Sequence, residues 1–359
     1  MFCPMKLDGE GPVLITGGGG FIGTNLAHCL LSAGQRVVVY DSLARRGAQE
    51  NLRWLQNQHG DGLEVIVADI RDRVRLRPVV DRVGRVFHLA AQVAVTTSLL
   101  DPAHDFEVNA GGTLSLLEAI RESALQPPLL HASTNKVYGS LRGVRLGRFD
   151  SRYAPTDPVL RERGIAEDHP LEFCSPHGCS KGAADQYVLD YARVFGLRAV
   201  VFRMSCIYGP FQRGSKDQGW VAHFLRQALA GGAITIYGDG RQVRDLLFVD
   251  DLCAAMWSAQ LEVDRLSGRA FNIGGGPGNA ISLLELLALT QRLAGRRPAL
   301  QLSEWRPADQ RYYVSDVGAF SGACGWRPRV GIEEGIERLL RASSPEAGLA
   351  ASQHEAHPS

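Results

Sequence analysis

Val13-Leu14-Ile15-Thr16-Gly17-Gly18-Gly19-Gly20-Phe21-Ile22-Gly23-Thr24-Asn25-Leu26-Ala27-His28-Cys29-Leu30-Leu31 decides the fold. A four-residue apolar run, too short for a helix, meets four glycines and then a helix-forming stretch without a breaker, which predicts strand, tight turn and helix. The glycines recur as Gly17-x-x-Gly20-x-x-Gly23. Backbone without side chains can approach a pyrophosphate, whose charge then rests on the N-terminus of the helix opened by Phe21 and Ile22. A glycine turn alone would serve any tight strand-to-helix connection. Its place at the head of a strand and helix alternation gives it meaning.

Working outward, Gln35 to Tyr40 predicts a second strand around Val37-Val38-Val39, ending in Asp41-Ser42. About 20 residues past the glycines, a carboxylate there accepts from the adenine ribose hydroxyls and favours NAD over NADP. Arg45 and Arg46 follow closely, and arginine is the usual partner of a 2′-phosphate, but they read better as solvated or pyrophosphate-facing. Glu64 to Ala68 predicts a third strand, delivering Asp69-Ile70, where Asp69 could also simply cap the next turn. Arg85 to Gln92 predicts a fourth, running into the small-residue loop Leu89-Ala90-Ala91-Gln92, with His88 packed in the strand. A long helix is expected from Phe106 to Ile120, carrying Asn109. Leu129 to Ser133 predicts a fifth strand that brings Ser133-Thr134-Asn135-Lys136 to the carboxyl edge of the sheet, where open α/β sheets bind ligands. Leu197 to Met204 is a further strand, followed by the turn Ser205 to Pro210.

Between these last two strands, Ser175-Pro176-His177-Gly178-Cys179-Ser180-Lys181 opens a helix. Ser175 suits the cap and Pro176 the first helical position, so His177 and Lys181 lie one turn apart on the same face. The expected organisation is an α/β, Rossmann-like doubly wound parallel sheet with a smaller mixed C-terminal lobe. Residues 1–11 form an N-terminal extension, 12–200 the dinucleotide-binding domain and 205–340 mainly the substrate lobe, with part of the later chain returning to the first domain. Residues 341–359 lack an apolar period and are expected to be a disordered tail.

The chain has 359 residues, 45% of them hydrophobic, and a net charge of +1, which gives no electrostatic reason for a nucleic-acid or membrane partner. No apolar run reaches the roughly 18 residues of a membrane span, and the start is too short for a signal peptide, so a cytoplasmic protein is expected. Seven scattered cysteines form no Cys-x-x-Cys pair, so neither disulfides nor a metal site is indicated. Cys179 and Cys206 could line the site, but both read better simply as small packed residues.

Gly17-x-x-Gly20-x-x-Gly23, Asp41, Leu89-Ala90-Ala91, Ser133-Thr134 and Lys181 fall in the order and spacing of the extended short-chain dehydrogenase/reductases acting on nucleotide sugars. The chain resembles that family from roughly residue 12 to residue 340. The resemblance implies NAD bound tightly and regenerated in each turnover. Asp69 and Ile70 would touch adenine, Asn109 would brace the active-site helix, and Lys181 would hold the nicotinamide ribose. It further implies a nucleotide-diphosphate sugar as partner. Thr96, Asn135, Ser205, Cys206 and Gln218 would stand at the sugar, Arg244 and Arg306 would clamp the diphosphate, and Asp309 would take a ribose. Helices 107–121 and 180–195 pair between subunits in relatives, implying a homodimer or homotetramer.

Thr134 takes the catalytic Ser/Thr position of the 4-epimerases in this family. The 4,6-dehydratases carry Thr-Asp-Glu there, against Thr134-Asn135-Lys136, which disfavours elimination. Tyr40 to Gly47, Ser133 to Gly139, Cys179 to Tyr187 and Asp217 to Val221 resemble the CDP-tyvelose (CDP-paratose) 2-epimerase branch, implying hydride removal at C2 of the sugar. The family motif is Tyr-x-x-x-Lys, its tyrosine the acid/base; His177 replaces it. An imidazole titrates near 6.5, against about 10 for a phenol, so beside Lys181 it would be neutral and able to accept a proton. The ring is shorter, so water or Thr134 would bridge any gap. Three readings stay open: a working acid/base, chemistry shifted to another sugar or carbon (a 4-epimerase or a dehydrogenase), and a sensor that binds NAD or nucleotide sugar without turnover.

Overall fold

The computed structural model describes residues 11–342 except 216–217, 296–297 and 307. Residues 1–10 of the N-terminal extension, the tail from 343, Cys3, and Asp217 of the quoted motif therefore lie outside the described residues.

Seven parallel strands form the central sheet: β1 (Val13–Thr16), β2 (Val37–Asp41), β3 (Leu63–Val67), β4 (Arg85–His88), β5 (Leu129–Thr134), β6 (Ala199–Met204) and β7 (Arg269–Ile273). Their order is β7-β6-β5-β4-β1-β2-β3. Successive side chains alternate between two cores: Val13, Ile15, Val37, Val39, Val200 and Phe202 pack on one face, and Leu14, Val38, Tyr40, Ala199 and Val201 on the other. A parallel sheet covered on both faces explains why these strands are unbroken apolar runs. Each fully buried Val, Leu or Phe contributes about 1.5–3 kcal/mol.

Chain order reverses between β1 and β4, which opens a crevice at the carboxyl ends of the strands. The glycine turn after β1, Asp41 after β2, Leu89 to Gln92 after β4, and Ser133-Thr134 on β5 all arrive there. The helix expected from Phe106 starts earlier, at Pro102, where Asp101 caps it by accepting from the His104 amide at 3.0 Å. Glu107–Gly111 then widens into a π-helical turn before the helix continues as Gly112–Glu122. Such a turn re-aims its side chains, here Asn109.

After β6 the chain builds the smaller lobe. Its central strand Val243–Phe248 pairs antiparallel with Ala280–Ser282 and parallel with Tyr312–Tyr313 and Cys206–Tyr208. Ala233–Tyr237 pairs in parallel with Ala299–Ser303. This lobe has its own core, including Phe224, Ile234, Ile236, Leu246 and Leu286. The chain then returns to the main sheet through helix Val249–Leu261 and β7. The doubly wound sheet with a mixed C-terminal lobe is thus the architecture observed. No helix among the described residues is long and apolar enough to cross a membrane.

Candidate active site

Helix Pro176–Phe195 is fixed at its start by Ser175, whose hydroxyl accepts from the Gly178 amide at 3.1 Å, and by Pro176 in the first turn. His177 and Lys181 consequently face one cavity of about 830 Å³ between the sheet and the smaller lobe. Both are 5% exposed. Burial holds the His177 imidazole below its ordinary value of 6.5, opposed by Asp105 and reinforced by Lys181 and Lys136. The ring is therefore neutral at pH 7 and able to accept a proton. Burial lowers Lys181 to about 8, which leaves it mostly charged, and its Nζ donates to the Ala132 carbonyl at 2.5 Å.

Thr134 ends β5 on the cavity wall, its hydroxyl accepting from the Lys136 amide at 3.3 Å. Ser133 donates to Asp185 at 2.9 Å, and Asp185, one turn beyond Lys181, pairs with Arg203 at 2.9 Å. This buried pair ties β5, β6 and the active-site helix together. Removing one partner of such a pair costs about 3–5 kcal/mol, so it fixes the relative placement of Thr134 and Lys181.

At the other end, Gly17 has φ +72°, and a Cβ there would meet the Ala90 amide at 2.7 Å. A Cβ on Gly23 would lie 2.5 Å from the Gly17 carbonyl oxygen. Only glycine permits this packing. The helix Phe21–Ser32 begins at Gly20 with no side-chain cap and no acidic residue in its first turn, so its amide dipole suits a pyrophosphate. The Asp41 carboxylate is gripped by the amides of Gly19 (2.9 Å) and Leu43 (2.8 Å). Asp69 is held by Arg71 at 2.9 and 3.0 Å. Phe21, Ile22, Ser42, Arg45, Ile70, Leu89, Ala90, Ala91 and Gln92 complete this wall. The residues fit a dinucleotide.

Thr96, Ser205, Cys206, Gln218, Arg244, Arg306 and Asp309 line the remainder. Arg244 pairs with Asp309 at 2.8 Å and donates to the carbonyls of Gln310 (2.5 Å) and Val243 (2.8 Å). The Arg306 guanidinium lies 3.7 Å from the centre of the Tyr237 ring. Ser205 is tied to Asp245 by a short hydrogen bond. Burial pushes the Cys206 thiol up, so it stays protonated and is no nucleophile. Among the described residues no cluster of three or more His, Cys, Asp or Glu could hold a metal ion.

Asn109 is buried behind the cavity wall and bears on the active-site helix, accepting from the Gln92 amide (2.9 Å) and donating to Ser180 (3.0 Å), aimed there by the π-helical turn. Two other expectations are corrected. Asn135 is buried in the turn after β5, off the cavity wall. Cys179 is exposed and outside the site, since the face bearing His177 and Lys181 leaves it on the outer side. Lys136, outside the expected set, is half-buried on the cavity wall and donates to Gln310 at 3.1 Å, its ammonium lowered by desolvation and by Arg244 to about 8. Its presence in the Thr134-Asn135-Lys136 triplet was the available signal. Asp105 and Gln242, also in or behind the wall, had no local signal.

Fold and site together define a dinucleotide-binding enzyme of the Rossmann class, with an imidazole, a hydroxyl and an ammonium at one end of its cavity. Residues 13–274 match the NAD dependent epimerase/dehydratase family, and the chain belongs to it. It is 42% identical over 334 residues to the CDP-paratose 2-epimerase of Salmonella typhi, covering 91% of this chain and 97% of that one. Among solved structures it is similar to the UDP-glucose 4-epimerase of Thermus thermophilus in complex with NAD (32% identity, TM-score 0.76, 93% and 100% of the two chains). The UDP-glucose 4-epimerase of Thermotoga maritima with UDP-glucose matches at 29% identity and a TM-score of 0.78, over 92% and 97%.

Proposed function

We propose that this chain is an NAD-dependent nucleotide-sugar epimerase that inverts C2 of a CDP-sugar through a keto intermediate. The observation that carries the reading is one cavity with His177, Lys181 and Thr134 at one end, the glycine turn with Asp41 at another, and Arg244, Arg306 and Asp309 at the sugar side. The relative of 42% identity supports the choice of C2 and of cytidine.

When bound, NAD would supply the acceptor of one hydride and the donor for its return. His177 accepts the proton of the sugar hydroxyl and gives it back after the sugar has turned over, with Thr134 bridging between ring and hydroxyl. Lys181 holds the nicotinamide ribose and, by its charge, keeps His177 neutral before the reaction. Arg244 and Arg306 hold the diphosphate while the keto sugar exposes its other face. Asn135 and Lys136 offer no carboxylate beside Thr134, so elimination of water lacks its acid and base. Exposed Tyr187, Val194 and Phe195 on the active-site helix support a homodimer through that helix.

Denaturing the purified protein tests the reading: about one equivalent of NAD should be released, and CDP-paratose should be converted to its C2 epimer. Protein that carries no nicotinamide and cannot take it up overturns it. Conversion of UDP-glucose at C4 instead would favour the 4-epimerase alternative, and binding without turnover the sensor.

A further inference from the structure

One nitrogen of the His177 ring meets a buried carboxylate. Nδ1 is buried and lies 3.7 Å from Oδ1 of Asp105, and neither atom has a hydrogen-bond partner. Asp105 is wholly buried, on the short helix Pro102–Phe106. Its other oxygen accepts a short hydrogen bond from Ser180, whose hydroxyl also accepts from Asn109 at 3.0 Å. The His177 amide donates to the Ser98 hydroxyl at 3.2 Å. The carboxylate is thus fixed from behind and the ring from its own backbone, with the gap between them open.

At 3.7 Å the pair is not yet a hydrogen bond, and both buried polar atoms are left without partners, which is unfavourable. Closing the gap removes that cost, and such contacts tighten in the substrate complex. The charged groups facing the ring are Asp105 from helix 102–106, Lys181 from its own helix and Lys136 from the turn after β5. The two ammonium groups oppose protonation; only Asp105 favours a proton on Nδ1.

We infer that Asp105 is a positioning residue for the acid/base step: it holds His177 as the Nδ1–H tautomer, directing the Nε2 lone pair to the cavity, and stabilises the imidazolium formed there. The sugar O–H bond breaks as the Nε2–H bond forms, and the reverse transfer restores the starting state. The inference rests on the reading of His177 as acid/base. A phenol at this position would have no second nitrogen and no tautomer to fix, so the arrangement belongs to the histidine.

Histidine ¹⁵N NMR of the NAD-loaded protein reads the tautomer without substrate, with His177→Phe assigning the signal. The wild-type ring should be protonated at Nδ1, and Asp105→Asn should move the proton to Nε2 and lower the His177 pKa further. With CDP-paratose as probe, Asp105→Asn should lower kcat by about 100-fold or more, with KM within a few-fold, and shift the acid limb of the rate to lower pH. In a His177→Tyr background the same substitution should change kcat less than about 3-fold, a contrast that a merely structural brace would not produce. Unchanged ¹⁵N shifts, or equal losses in both backgrounds, overturn the proposal. If Asp105→Asn does not fold, the wild-type spectrum decides, because an Nε2–H tautomer contradicts the assignment. Full activity in His177→Phe would instead sink the acid/base reading itself, a separate result.

Discussion

Arg244 and Asp309 form an ion pair at 2.8 Å inside the cavity that also holds His177. The two residues come from a strand of the smaller lobe and from the loop before Tyr312–Tyr313, so the pair sets the wall against which a sugar nucleotide would lie. The guanidinium also donates to the Val243 and Gln310 carbonyls, which holds its fork in one orientation.

Arg244→Lys keeps the charge and loses the fork. Hydrogen bonds to charged groups contribute about 1.5–3 kcal/mol, so KM for the CDP-sugar should rise about 10- to 100-fold, with kcat within about 3-fold. Steady-state kinetics check this; an unchanged KM would remove Arg244 from the diphosphate site.

Gly23→Ala places a methyl group 2.5 Å from the Gly17 carbonyl oxygen and 2.6 Å from the Gly18 Cα, both backbone atoms with no room to yield. The turn must open, and the variant should purify with less than about a tenth of the wild-type NAD, a loss of roughly 1.4 kcal/mol or more in binding. The absorbance ratio at 260 and 280 nm and assay of released nicotinamide measure it.

Stability should fall in acid. Burial holds His88 at about 3 and His131 well below 6.5, and His177 is also lowered. All three are neutral in the folded chain, so below pH 6.5 the unfolded chain binds more protons. Their contribution is fully present above 6.5 and is lost as pH falls, for His88 down to about 3, over which range that ring alone adds a slope approaching 1.4 kcal/mol per pH unit. Urea unfolding between pH 7.5 and 5 should show this decline; a flat profile would mean that these rings charge within the fold.

His177→Phe leaves no group to accept the proton and should lower kcat by at least about 100-fold, whereas His177→Tyr, with a phenol beside Lys181, should retain or raise the rate. The acid limb should lie below pH 6.5 with histidine and move upward with tyrosine, since a phenol must lose a proton before it can serve as base.

The sheet and most of the cofactor wall were legible in the sequence because their signals are local. Val37-Val38-Val39 before Asp41, the Gly17, Gly20 and Gly23 spacing, and the cap at Ser175 each need only a few neighbouring residues. Helical spacing alone placed His177 and Lys181 on one face. What the sequence did not reveal depends on tertiary crossings. Asp105 reaches His177 from 72 positions earlier, through a helix whose true start, Asp101-Pro102, carried a cap signal that the Phe106 boundary passed over. The aim of Asn109 comes from a π-helical turn, which period 3.6 does not show. Lys136 signals only the acid it lacks, and its hydrogen bond to Gln310 comes from a contact across 174 positions.

In the mechanism derived for this cavity, one hydride leaves and returns within a single site served by His177. Incubating the NAD-loaded protein with CDP-paratose in deuterated buffer and following C2 by NMR tests this most directly. Inversion at C2 without deuterium on that carbon is the expected result; deuterium incorporated there would contradict the claim, because the hydrogen would then have exchanged with solvent instead of being carried back.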